Sequence, residues 1–326
     1  GQINPRRAPL ASFDVRVAVI DIGTNSTRLL IADVAAGGAL QQLHRESVVT
    51  RLGAKVDATG SLQEDAMQRV FDALARFRDL IAEHGATATT AVLTSAVRDA
   101  ANGAEFMAAV RERYDIDART IGGDEEAELT FAGATSERAD TGDEVLVVDI
   151  GGGSTEFVIG CHGTVEFHVS TQAGVVRQTE RHIEHDPPRP AEIDSLRREV
   201  AQIIRDNVST EHRRRVAQGI AVAGTATTCA SIELELDPFD RALVHGHVLR
   251  RAICGAILNQ LSRLTDDERR AVTGLQPDRA PTIIAGVAML LEVMEAFGLD
   301  AVEVSEHDIL RGAALRLARA PPAAGR

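Results

Sequence analysis

Tryptophan is missing from this 326-residue chain, tyrosine occurs once, and aromatic side chains make up 3% of residues. A platform that stacks single-stranded nucleic acid needs several such rings, so that function class is excluded. Lysine is nearly missing too: Lys55 is the only one among 35 basic residues. That bias reads first as the mark of a GC-rich genome. Guanidinium suits phosphate, but composition alone does not establish the use. Cysteine is sparse: Cys161, Cys229 and Cys254 are far apart and form no CxxC. The chain is therefore neither a zinc ribbon nor a disulfide scaffold, and a reducing, cytoplasmic compartment is expected. Long hydrophobic runs are lacking as well. The apolar stretch 283–291 is far too short to span a bilayer, so no membrane partner is expected. Residues 1–14 hold two arginines and no apolar stretch, so no secretory leader is expected. A net charge of −13 argues against binding duplex nucleic acid through the overall field, yet leaves room for an anion in a locally positive pocket.

What is present is an average globular composition, 44% hydrophobic and 25% charged, over a length that suits two or three domains. An internal repeat organises it. The segment DIGTNSTRLLI from Asp21 to Ile31 aligns with DIGGGSTEFVI from Asp149 to Ile159, offset by 128 residues, with six of eleven positions identical. Apolar runs precede both, at 17–20 and 145–148. Each copy reads as strand, Asp, glycine turn and second strand, a hairpin with a tip rich in small polar residues. Two similar domains, each opening on this hairpin, follow. Apolar spacing predicts helices over 61–82, 105–113, 124–134, 192–208, 249–264, 281–297 and 307–318, and strands over 87–94, 220–223 and 301–304. Residues 185–190 read as a loop and the tail from Ala320 as frayed. Alternating strands and helices mean an α/β fold.

Glycines at a hairpin tip let backbone N–H groups approach an anion, and hydroxyls add donors. An aspartate at the strand end beside a phosphate site has Mg²⁺ as its natural partner. One such turn is commonplace; two matched copies after matched strands are not. A third glycine turn, at Gly224 and Thr225 after the 220–223 strand, reads as a further wall of a cleft. Glu125 and Glu126 begin a helix just after Gly122 and Gly123, and adjacent helical residues point about 100° apart, so one of the two faces the cleft. His245 and His247 form a weak metal pair with no third ligand evident, and the His212–Arg215 run reads as a solvated helix end.

The paired hairpins resemble the actin, sugar-kinase and heat-shock ATPase superfamily. VAVIDIGTNSTRLLIADV, TSAVRDAANG, IGGDEEAELTFAGA, VLVVDIGGGSTEF, AVAGTATT and VSEHDILRGA, in that order, resemble the exopolyphosphatase / guanosine pentaphosphate phosphatase family in its short, two-domain form. The resemblance implies two actin-like (ribonuclease-H-like) α/β domains, over 1–123 and 124–326, with the helix near 307–318 packing back on the first and the active site between them. It implies Glu126 as the base that activates water and Asp149 as the Mg²⁺-facing carboxylate, with Asp21 its mirror image. Glu156 would orient water or metal. Phosphate would be bound by Gly23, Thr24, Asn25 and Ser26 of the first tip, by Gly151, Gly152, Gly153, Ser154 and Thr155 of the second, and by Gly224, Thr225 and Arg98. The implied reaction is Mg²⁺-dependent release of terminal orthophosphate from inorganic polyphosphate, favouring short chains, with a requirement for a monovalent cation such as K⁺ left open. Hydrolysis of guanosine pentaphosphate ranks second, because few aromatics are available to a guanine. A (p)ppGpp-binding sensor and an actin-like ATPase rank lower. A homodimer is implied by the family alone.

Overall fold

The hairpin repeat becomes two sheets with one topology. The computed structural model describes residues 13–139 and 141–319. The reading of the tail from Ala320 lies outside them, as does nearly all of the 1–14 segment. The first half contains β1 (Val15–Ile22), β2 (Ser26–Val34), β3 (Leu40–Val49), β4 (Ala88–Leu93) and β5 (Asp117–Thr120). The second contains β6 (Val145–Ile150), β7 (Thr155–Cys161), β8 (Thr164–Thr171), β9 (Gln218–Val222), β10 (Val248–Arg250) and β11 (Ala301–Val304). The first sheet has the order β3-β2-β1-β4-β5; the second, β8-β7-β6-β9-β11, repeats it and adds β10 at the edge. In both, the hairpin strands pair antiparallel and the next two join parallel. Even a defect is duplicated. The β2–β3 register slips between Ile31 and Ala32, and the β7–β8 register slips between Ile159 and Gly160, the same step 128 residues on.

Successive strand residues point to opposite faces, and each sheet is covered on both. On the first sheet, Ala18, Ile20, Leu29 and Ile31 face the amphipathic helix Glu64–His84, while Val17, Val19, Leu30 and Ala32 meet Ile309, Leu310 and Ala313 of the C-terminal helix Ile309–Arg319. On the second sheet, Leu146, Val148 and Phe157 pack against Ile283–Phe297, a helix buried nearly all round as its uniformly apolar sequence requires. Its other face, with Val147, Val158 and Ile220, takes Ala127, Phe131 and Ala134 of the helix Gly123–Thr135. The Gly123–Thr135 and Ile309–Arg319 helices also pack on each other, so they join the halves. Two glycines make that crossing close: a Cβ on Gly133 would stand 2.0 Å from the Asp308 carbonyl oxygen, and one on Gly312 1.9 Å from that of Leu129.

Sequence periodicity misplaces a few elements. Residues 249–250 belong to β10, and the helix expected from 249 begins at Arg251. Ala223, expected to end a strand, begins the helix Ala223–Glu233. Among the described residues no helix is long and apolar enough to cross a membrane.

Candidate active site

The two hairpin tips close identically: the Gly23 N–H donates to the Ser26 carbonyl and the Gly151 N–H to that of Ser154, each at 3.0 Å. They then meet face to face. A Cβ on Gly152 would lie 2.9 Å from the Asn25 nitrogen, and one on Gly153 2.8 Å from both Ser95 Oγ and Thr24 Oγ1. The missing side chains at Gly152 and Gly153 are thus required by the opposing tip before any ligand is considered. Around them lies an open cleft. Asp21, Gly23, Thr24, Asn25 and Ser26 line it from the first half, and Asp149, Gly151, Gly152, Ser154, Glu156, Gly224 and Thr225 from the second. Glu126 reaches it from the helix between them. Three expected residues do not line it. Thr155 is buried and gives its hydroxyl to the Ala173 carbonyl at 2.5 Å. Gly153 is spent on the contact between tips. Arg98 stands behind Glu126: its Nη1 donates to the Ile121 carbonyl at 3.0 Å and lies 3.7 Å from Glu126 Oε2.

The repeat sets the electrostatics through one divergent position. Asp21 pairs across the first hairpin with Arg28; at the equivalent place Asp149 pairs with Glu156. The first half therefore holds an ion pair, with Arg28 Nε 2.8 Å from Asp21 Oδ2. The second holds two carboxylates directly opposed, an arrangement that destabilises a sheet. Burial first, then Glu156, pushes the Asp149 carboxyl up to about 8. Glu156 is also raised by burial, with the Ser154 and Ser170 hydroxyls working against the shift. Ser170 Oγ donates to Glu156 Oε1 at 2.8 Å. Glu126 is raised well above the carboxylate range by burial and then by Glu156, Asp21 and Asp149. Its neighbour Glu125 points away, held by both Arg119 terminal nitrogens at 2.7 Å and by Arg316 at 2.8 Å. One of the two adjacent glutamates faces the cleft, as helical geometry demands.

Four buried carboxylates in one cleft call for positive charge. Asp21 Oδ1 and Glu126 Oε2 are buried with no hydrogen-bond partner. All-oxygen donors of this kind suit Mg²⁺, which takes one or two carboxylates, keeps several waters and completes its shell with phosphate oxygens. The fit is to an open site of that kind, not to a protein cage: among the described residues, the clusters of three close ligand atoms lie elsewhere.

Two arginines line the cleft that no local motif marked. Arg28 is held by Asp21 and, through Nη1 at 2.5 Å, by Asp308, which also binds Arg45 at 2.8 Å. Burial opposes the Asp308 charge, but Arg45 and Arg28 outweigh it and hold that carboxylate below its usual range. Arg279 lies against Gly224, where a Cβ would stand 1.5 Å from its Nη1. Its Nε donates to Gln276 at 3.0 Å. Burial, then Arg28, pushes Arg279 down to about 10, so it is a cation at neutral pH. Beside it Ala223, a non-glycine residue with φ 64°, turns the chain into the helix Ala223–Glu233, whose N-terminus opens on the cleft at Gly224 and Thr225. Helix N-termini and guanidinium groups are both natural anion sites. The repeat register could have singled out Arg28, and Asp308 lies in the VSEHDILRGA block; nothing local could have singled out Arg279.

The family model for Ppx/GppA phosphatases matches residues 30–318. Exopolyphosphatase 2 of Mycobacterium tuberculosis is 39% identical over 315 residues, covering 93% of this chain and 98% of that protein. Among solved structures, the Aquifex aeolicus Ppx-GppA enzyme is 31% identical with a TM-score of 0.77, covering 93% of this chain and 99% of that one. An exopolyphosphatase from Cytophaga hutchinsonii is 28% identical with a TM-score of 0.84, covering 92% and 98%. Duplicated topology, matched hairpins and agreement along nearly the whole chain converge: this protein belongs to the Ppx/GppA phosphatase family.

Proposed function

We propose that the chain is an exopolyphosphatase, releasing orthophosphate from the end of inorganic polyphosphate with Mg²⁺. The observation that carries this reading is Glu126, a buried cleft carboxylate with one oxygen lacking a hydrogen-bond partner and an affinity for protons raised by burial and by the neighbouring carboxylates. A general base works best when its pKa lies near the working pH. In this reading Glu126 takes a proton from a water as the water oxygen attacks the terminal phosphorus. The bridging P–O bond breaks, and the chain leaves one phosphate shorter. Arg279, the helix N-terminus at Gly224 and Thr225, and the hairpin hydroxyls and N–H groups hold the phosphate oxygens in line. Asp149 and Asp21 would hold Mg²⁺, which supplies charge neutralisation at the transferred phosphoryl group. Arg98, 3.7 Å from Glu126 Oε2, favours the ionised base.

The test is orthophosphate release with Mg²⁺ from short polyphosphate, long polyphosphate, guanosine pentaphosphate and ATP, comparing wild type with Glu126→Gln. The expected result is release from polyphosphate, fastest on short chains, falling about 10²–10⁴-fold in the variant, the usual worth of a general base. Release from guanosine pentaphosphate alone would replace the substrate; no release from any of the four would refute the reading.

A further inference from the structure

The histidines of the HGH motif do not act together. His247 turns to Glu233, with Nε2 2.7 Å from the carboxylate. His245 instead packs on His307, with ring centroids 4.2 Å apart. Glu137 joins them: one ring nitrogen of each histidine and one Glu137 carboxylate oxygen lie within 4.8 Å of one another. The three come from distant parts of the chain. Glu137 follows the Gly123–Thr135 helix, His245 caps the short helix Arg241–Val244, and His307 sits between β11 and the C-terminal helix. None of them lines the phosphate cleft.

We infer that Glu137, His245 and His307 form a binding site for a zinc-class divalent ion, held by two imidazoles and one carboxylate with its remaining position open to solvent. Imidazole nitrogens select Zn²⁺, Co²⁺ and their neighbours over Mg²⁺, which separates this site from the all-oxygen cleft. Bonds of about 2.0–2.1 Å at tetrahedral angles place donor atoms about 3.4 Å apart, so the widest pair must close by at most about 1.4 Å. Glu137 can supply that movement, because its side chain is 56% exposed, and its exposure is also the entry path. Its carboxylate is already oriented. Arg311 grips Oε1 while also donating from Nε to Ser136 Oγ at 2.7 Å, leaving Oε2 facing His307 Nδ1 at 3.9 Å. Hydrogen-bonded support of this kind is what a ligating carboxylate needs. Burial, with Arg311 and His245 beside it, pushes His307 down to about 4, so the ring is neutral at pH 7. Arg311 and Arg45 oppose a further cation, so binding is weaker than at a closed four-ligand zinc centre. An ion here would tie the end of the Glu126 helix to the start of the C-terminal helix, the pair that joins the halves.

The test uses the full chain stripped of metal. Zn²⁺ is titrated calorimetrically, Co²⁺ by its visible absorption, and thermal unfolding is followed with and without Zn²⁺. Wild type and His247→Ala should each bind Zn²⁺ with the same affinity, with Mg²⁺ present to fill the cleft, and unfold at a higher temperature with it. His245→Ala and His307→Ala should each weaken binding at least 10-fold. Glu137→Gln, an exposed and nearly isosteric change, should weaken it too, and decides the matter if the histidine variants fail to fold. No binding by wild type at micromolar metal, or affinity unchanged in Glu137→Gln, would overturn the site and leave the two rings as packing.

Discussion

Replacing Glu156 with Gln should make the metal-free protein more stable, and only at high pH. Glu156 and Asp149 are directly opposed on β7 and β6. Side chains so placed start about 5 Å apart. Two like charges at that separation repel by about 3 kcal/mol at an effective dielectric constant of about 20. Glutamine keeps an acceptor for the Ser170 hydroxyl, so most of the present hydrogen bonding survives. The sign follows from the shifts. Asp149, Glu126 and Glu156 all have folded-state pKa values above their unfolded ones. The folded chain therefore binds more protons than the unfolded chain between the ordinary carboxylate range and about 8, and stability falls as pH rises through that window. Urea unfolding in chelator at pH 5.5 and 8.5 reads this directly. Wild type should be less stable at the higher pH. Glu156→Gln should recover roughly 1–3 kcal/mol there and little at the lower pH, where Asp149 is already protonated and the repulsion is gone. Saturating Mg²⁺ should stabilise wild type most at pH 8.5. Equal effects of the substitution at both pH values, or wild type more stable at pH 8.5, would refute the argument that these carboxylates are held in mutual repulsion.

Gly224→Ala should push Arg279 off its seat, since the added carbon meets only the tip of that side chain; KM for polyphosphate should rise severalfold in steady-state assays while the urea midpoint hardly moves. Gly312→Ala faces backbone instead, the Leu129 carbonyl, and should lose about 3 kcal/mol or more in equilibrium unfolding. Arg98→Met removes the cation nearest Glu126, so the rising limb of kcat/KM against pH should move to higher pH; an unmoved limb would show that Arg98 does not act on the base.

Much of this was legible in sequence because it is repeated there. The 128-residue offset exposes both hairpins, the two aspartates and the glycine tips, and the same offset aligns Arg28 with Glu156, the position where the halves diverge. Helical geometry narrowed the cleft carboxylate to one of Glu125 and Glu126, and the family resemblance chose Glu126. The rest depends on long-range contacts that no local pattern carries. Arg279 enters from a 3₁₀ turn (Pro277–Arg279) far from either hairpin, and Asp308, though inside the VSEHDILRGA block, shows its hold on Arg28 and Arg45 only in the fold. The third strands differ: Leu40–Val49 is half-exposed and its charges blur the apolar alternation, whereas Thr164–Thr171 alternates Val165, Phe167 and Val169 with polar residues, a strand signal that was present and missed. Arg98 follows a strand as a phosphate ligand would, but its guanidinium is claimed by the Ile121 carbonyl.

The glycine crossing of the two joining helices has a mechanical consequence. Backbone against backbone at Gly133 and Gly312 leaves no side chain there to slide or repack, so the crossing is a fulcrum. Away from it the halves meet at the touching hairpin tips and through Arg28 and Arg45 on buried Asp308, and at the rim by partly exposed ion pairs, Arg177 holding Asp99 at 2.8 Å and Asp57 at 3.3 Å. Contacts of that sort contribute about 0–1 kcal/mol each. The rim clasps are thus the weakest link between the halves, while the touching tips and the buried axle fix the floor of the cleft.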